Sequence, residues 1–82
     1  MPENLSARER ALVADSALVD GDLEQAATVL DELHAQLVAQ GASIEAIKAA
    51  EKARDAATFE TLEATEARMQ ALLDALQGSV TP

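Results

Sequence analysis

Residues 5–37 have the sequence LSARERALVADSALVDGDLEQAATVLDELHAQL, in which apolar residues recur every seven positions. One row consists of Leu5, Leu12, Val19, Ala26 and Leu33, and a companion row four positions on contains Leu23, Leu30 and Leu37. Two apolar rows with a seven-residue repeat are typical of α-helices that pack side by side. The sequence therefore predicts an all-α protein, because no segment shows the sustained alternation of a β-strand.

Polar caps and glycines indicate where the helices begin and end. Ser6 and Glu9 have the spacing of a capping box, in which each side chain accepts a hydrogen bond from the other residue's amide. Gly41 suits the left-handed residue that closes a helix. The chain is thus predicted to be one domain, an antiparallel hairpin with helical arms over about residues 7–40 and 44–77, each on the order of 50 Å long.

The sequence around Gly21 leaves a second architecture open. Asp22 and Gln25 have the spacing of another capping signal, and Gly21 could close a short helix before them. That interpretation gives a three-helix bundle. Because the apolar rows keep their phase through Gly21, the hairpin with coiled-coil-like packing, weakened or kinked at residues 21–22, is the preferred prediction.

The second arm has two different apolar faces, which at about 100° per residue lie on nearly opposite sides. A two-helix hairpin cannot bury both, so we expect a compact bundle, self-association or a bound partner. The face of small side chains is predicted to hold the protein's own helices together, and the other face is the predicted partner-binding site. The small face consists of Ala46, Ala50, Ala53, Ala57, Ala64, Ala67 and Ala71, and the partner-binding face of Phe59, Leu62, Met69, Leu73 and Leu76.

The composition of the 82 residues restricts the classes of function. There is no cysteine, which excludes disulfides and thiolate sites, and Phe59 is the one aromatic residue. With 15 acidic against 6 basic residues, the net charge of -9 would repel nucleic acids and anionic membranes. A polar N-terminus and the lack of an apolar run of about 18 residues predict a cytoplasmic protein.

No residue pattern indicates a catalytic, cofactor or metal site. His34 follows Asp31 by three positions, a spacing found in helical di-iron sites, but such sites need two of these motifs and the sequence has one. The basic cluster of Lys48, Lys52 and Arg54 alternates with acidic residues, which indicates intrahelical ion pairs. We therefore expect no enzymatic activity and no cofactor.

Residues 17–26, ALVDGDLEQA, followed by leucines at 30, 33 and 37, resemble a run of flagellar export chaperones of the FlgN and FliT type. The same run resembles a tetratricopeptide helix pair. The chaperone resemblance implies a helical hairpin that shields an apolar C-terminal segment of a secreted filament or hook-junction protein and delivers it for export.

The expected function is that of a small acidic helical protein-binding module that acts as such an export chaperone or as an adaptor. Its partner would be the amphipathic helix of a client, a further copy of the chain, or both, and a homo-oligomer is expected. A structural self-assembling protein is the alternative. An acidic inhibitor that imitates nucleic acid comes third.

Overall fold

The computed structural model describes residues 5–78, which form four α-helices. Within this range there is no strand, so the predicted all-α class is confirmed. The number of helices differs from both predicted architectures, because each predicted arm is broken once. The bounds are Ala7–Val19 for α1, Leu23–Gln40 for α2, Ile44–Phe59 for α3 and Leu62–Gly78 for α4.

The first break lies at Gly21, whose φ of 79° is in the left-handed region. The Gly21 amide donates to the Leu18 carbonyl and the Asp22 amide to the Ala17 carbonyl, which closes α1 in a Schellman motif. Asp22 then caps α2, since its carboxylate accepts a hydrogen bond from the Gln25 amide at 3.1 Å. The capping interpretation of this stretch is therefore right, and the continuous helix through it is wrong.

Gly21→Ala should destabilise the protein by about 1 kcal/mol, because a Cβ is strained at positive φ. The strain is local, since a Cβ at Gly21 would meet no atom within 4 Å. In a domain of this size the melting temperature should fall by roughly 4–8 °C, measured by circular dichroism. Gly41→Ala, at a φ of 67°, should show a similar loss, and Gly21→Asn a smaller one. An unchanged or higher melting temperature for Gly21→Ala would contradict this role.

The second break, at Glu60 and Thr61, contains neither glycine nor proline. Glu60 leaves the helical region, with φ -121° and ψ -137°. Thr61 begins α4, because its Oγ1 accepts a hydrogen bond from the Ala64 amide at 3.1 Å, while its carbonyl accepts from the Thr65 hydroxyl at 2.8 Å. The predicted continuous helix over residues 44–77 is therefore wrong. Because the helix is interrupted, the side of α4 that faces the core does not follow from the side of α3 that does.

Consecutive helices pack against each other and are joined by turns of two or three residues. Arg10 fastens α1 to α2, because its side chain donates to Gln36 Oε1 at 2.7 Å and pairs with Glu32 at 3.2 Å. Arg54 on α3 pairs with Asp31 on α2 at 3.5 Å. Helix α4 packs against α3 and also contacts α1. The four helices thus close around a single core.

The core combines large side chains from α2 and α4 with alanines from α1 and α3. Leu30, Leu33 and Leu72 are 0% exposed. The alanines opposite them allow the helix backbones to approach closely, which lets a chain with one aromatic residue fill its interior. The fully buried alanines are Ala11, Ala14, Ala26, Ala50, Ala53 and Ala56.

Candidate protein-binding surface

The predicted partner-binding face does not form one surface in the structure. Met69 is 1% and Leu76 6% exposed, so both belong to the core. Leu62 and Leu73 are half-buried against the same core, whereas Phe59, at the end of α3, is 79% exposed. The turn between α3 and α4 causes this difference, because helical spacing does not extend across it. The assignment of the five residues to one exposed face is therefore wrong, and a binding role for Phe59 stays a prediction.

The stripe of alanines also divides between the two helices. On α3 it is buried, as expected for a stripe that holds the protein's own helices together. On α4, Ala64 is half-buried, and Ala67 and Ala71 are exposed. The buried part consists of Ala46, Ala50, Ala53 and Ala57.

The structure exposes a different apolar surface, on α1. Leu12 is 43% and Val19 76% exposed, and Leu5, just before the cap of α1, is 40% exposed. We call these three residues the α1 outer row. The seven-residue repeat predicted that these residues pack between helices, and this prediction is wrong. Helix α1 is apolar on two opposite sides, because its inner side consists of Ala11, Ala14, Ala17 and Leu18.

A signal for this arrangement was present in the sequence. Ala11, Ala14 and Leu18 follow one another at spacings of three and four residues, which places them on one side of a helix. That side is the one that packs, because small side chains let α1 approach its neighbours closely. Leu12 and Val19 have the same seven-residue spacing as Ala26 and Leu33 of α2, but the four residues do not lie in one buried row.

Charged and polar residues flank the α1 outer row. Arg8 and Asp15 lie on one flank, about 40° and 60° around the helix from Leu12, and Glu9 and Ser16 lie on the other. Glu9 is held in the capping box, where it accepts a hydrogen bond from the Ser6 amide at 2.9 Å. Neither Arg8 nor Asp15 forms an ion pair with another of residues 5–78. Arg8 is exposed and Asp15 half-buried, so both the guanidinium and the carboxylate can reach a partner that covers the row.

The basic cluster on α3 serves partly to join helices. Arg54 forms one intrahelical pair, with Asp55 at 3.4 Å, and also reaches Asp31 on α2. Lys48 and Lys52 form no ion pair with any of the described residues. Of the intrahelical ion pairs predicted for this cluster, one is thus present among the described residues.

The half-buried His34 lies on α2, and its neighbour Asp31 pairs with Arg54. Among residues 5–78 no three histidine or acidic side chains converge on a possible metal position. Every buried side-chain polar atom in this range has a hydrogen-bond partner, so no unpaired group points to a missing ligand. None of the four helices has the length and apolar character needed to cross a bilayer, as far as the described residues extend.

No protein-family model, curated protein or solved structure matches this chain. The resemblance of residues 17–26 to export chaperones therefore stays a prediction. In the structure this run contains the end of α1, the turn at Gly21 and the start of α2. Its glycine and aspartate have a local role, because they close one helix and cap the next.

Proposed function

We propose that this protein is a protein-binding module that accepts a helix on the α1 outer row. The observation that supports the proposal is that α1 is apolar on two opposite sides, although the bundle covers only one of them. Apolar side chains aligned along one exposed helix face are typical of surfaces that bind another helix. A helix that packs on Leu12 and Val19 would gain about 25 cal/mol for each Å² of apolar surface removed from water.

The charge of the chain supports a protein as the partner. A net charge of -9 opposes binding to nucleic acids or anionic membranes. The acidic residues are spread over all four helices, whereas a nucleic-acid mimic would concentrate them on one side. The proposed protein is cytoplasmic and non-catalytic. An export chaperone fits within this class, because the apolar segment of a client can bind as an amphipathic helix.

A model peptide tests whether the α1 outer row accepts a helix. The probe is a fluorescent amphipathic peptide of leucine and lysine, about 18 residues long, with binding measured by fluorescence anisotropy. Leu12→Gln with Val19→Thr makes the row polar without a change of charge. We expect this double variant to bind the peptide about tenfold more weakly or worse, because each lost apolar contact contributes roughly 1 kcal/mol.

The matched control places glutamines on the outer side of α4. Ala67→Gln with Ala71→Gln changes two exposed residues away from α1 and should leave the affinity unchanged. Equal affinity of both double variants and the wild type would contradict the proposal, as would a wild type that does not bind the peptide. Equal losses in the two double variants would also contradict it, because the loss of affinity would then not depend on the α1 outer row.

A further inference from the structure

We infer that the helix bound on the α1 outer row is α1 of a second copy of this chain, in antiparallel orientation. This inference rests on the proposed function and names its partner. Leu12 and Val19 lie one heptad apart on α1, and Leu5, seven positions before Leu12, precedes the Ser6 cap at the start of the helix. A two-fold axis at Leu12 would place it against the partner's Leu12 and bring Val19 to the start of the other helix.

Charge complementarity favours this antiparallel arrangement. Arg8 and Asp15 lie on the same flank of the row but about 10 Å apart along α1, too far to pair with each other. When two antiparallel helices are related by a two-fold axis, equivalent flanks meet, and Arg8 comes opposite the partner's Asp15. Symmetry forms this ion pair twice. A parallel arrangement would instead bring Asp15 towards the partner's Asp20, a contact between like charges.

The other flank of the row is compatible with close packing. Val13 on that side is 40% exposed and adds apolar surface near the axis, and Ser16 is small and uncharged. The charge of -9 on each copy opposes association, but physiological salt screens it over about 8 Å. One helix of 13 residues buries less than the roughly 800 Å² per partner of a standard interface. We therefore expect a weak dimer, with a Kd on the order of 100 µM.

Charge-reversal variants test the pairing of Arg8 with Asp15 across the dimer. Arg8→Asp and Asp15→Arg should each weaken dimerisation about tenfold in sedimentation equilibrium, because symmetry turns two attractive contacts into two repulsive ones. The double variant Arg8→Asp with Asp15→Arg should regain the wild-type Kd within about threefold. A purely structural role for either residue would not give this recovery, since the two side chains do not contact each other within one α1.

The single variants should remain folded. An aspartate in the first turn of α1 and an arginine nearer its end both agree with the helix dipole, and thermal melts check this. A wild type that stays monomeric up to about 1 mM would overturn the inference, as would a double variant that does not regain affinity. If the wild type is monomeric but the model peptide still binds the α1 outer row, this inference fails while the proposed function stands. If the peptide does not bind either, both fail.

Discussion

Met69→Glu should unfold the protein, whereas Phe59→Glu should leave it folded. Both positions belong to the stripe that the sequence assigned to one exposed face, yet Met69 is 1% and Phe59 79% exposed. A carboxylate at position 69 would lie in an apolar core without a partner, which costs several kcal/mol. That cost is comparable to the whole stability of a small domain, about 5–15 kcal/mol. We expect loss of the helical circular dichroism signal and of the cooperative thermal transition.

Two controls separate the effect of charge from that of side-chain shape. Met69→Leu conserves volume and should cost less than about 1.5 kcal/mol. Phe59→Glu should change the free energy of unfolding by no more than about 0.5 kcal/mol, because the ring makes little contact with the core. A Met69→Glu protein that melts within a few degrees of the wild type would mean that α4 presents a different side to the core.

Leucines at Ala50 and Ala53 should strongly destabilise the bundle. Both alanines are 0% exposed and face the neighbouring helices. A leucine at either site would force the backbones apart or into strained rotamers, at about 1–3 kcal/mol each. The double variant should therefore lose about 2–6 kcal/mol, measured by urea unfolding. The same change at the exposed Ala67 and Ala71 should have little effect. Equal losses from the two double variants would show that α3 does not depend on small side chains.

The sequence predicts the helical class and the local chemistry of most helix ends. Ser6 and Glu9 form the predicted capping box, and Gly41 is left-handed at the end of α2. Gly21 and Asp22 also indicate the end of α1 and the start of α2 correctly. The seven-residue pattern instead favours a continuous helix through them. The pattern was misleading because an outward-facing row can satisfy the same spacing as a buried one. A left-handed glycine followed by a cap is the stronger indication of a break, since it satisfies the backbone groups at both helix ends.

The start of α4 and the location of the apolar surface depend on tertiary packing. Neither Glu60 nor Thr61 is a residue type that must end a helix, so the sequence predicts no interruption of the second arm. The burial of Met69 and Leu76 follows from that interruption, because it turns α4 towards the core. The α1 outer row has the same seven-residue spacing as a core row, and the packing of α1 against α2 and α4 selects the side with Ala11, Ala14 and Leu18 for the core.

The short turns between successive helices also affect how fast the chain folds. Each helix packs mainly against the next one in sequence, and the contact between α1 and α4 joins distant parts of the chain. Most of the loop-closure entropy is therefore concentrated in that single contact. Helical topologies dominated by local contacts fold within microseconds to milliseconds. A newly made chain would thus bury its leucines and alanines faster than chains at micromolar concentration meet, so that copies encounter one another as finished bundles.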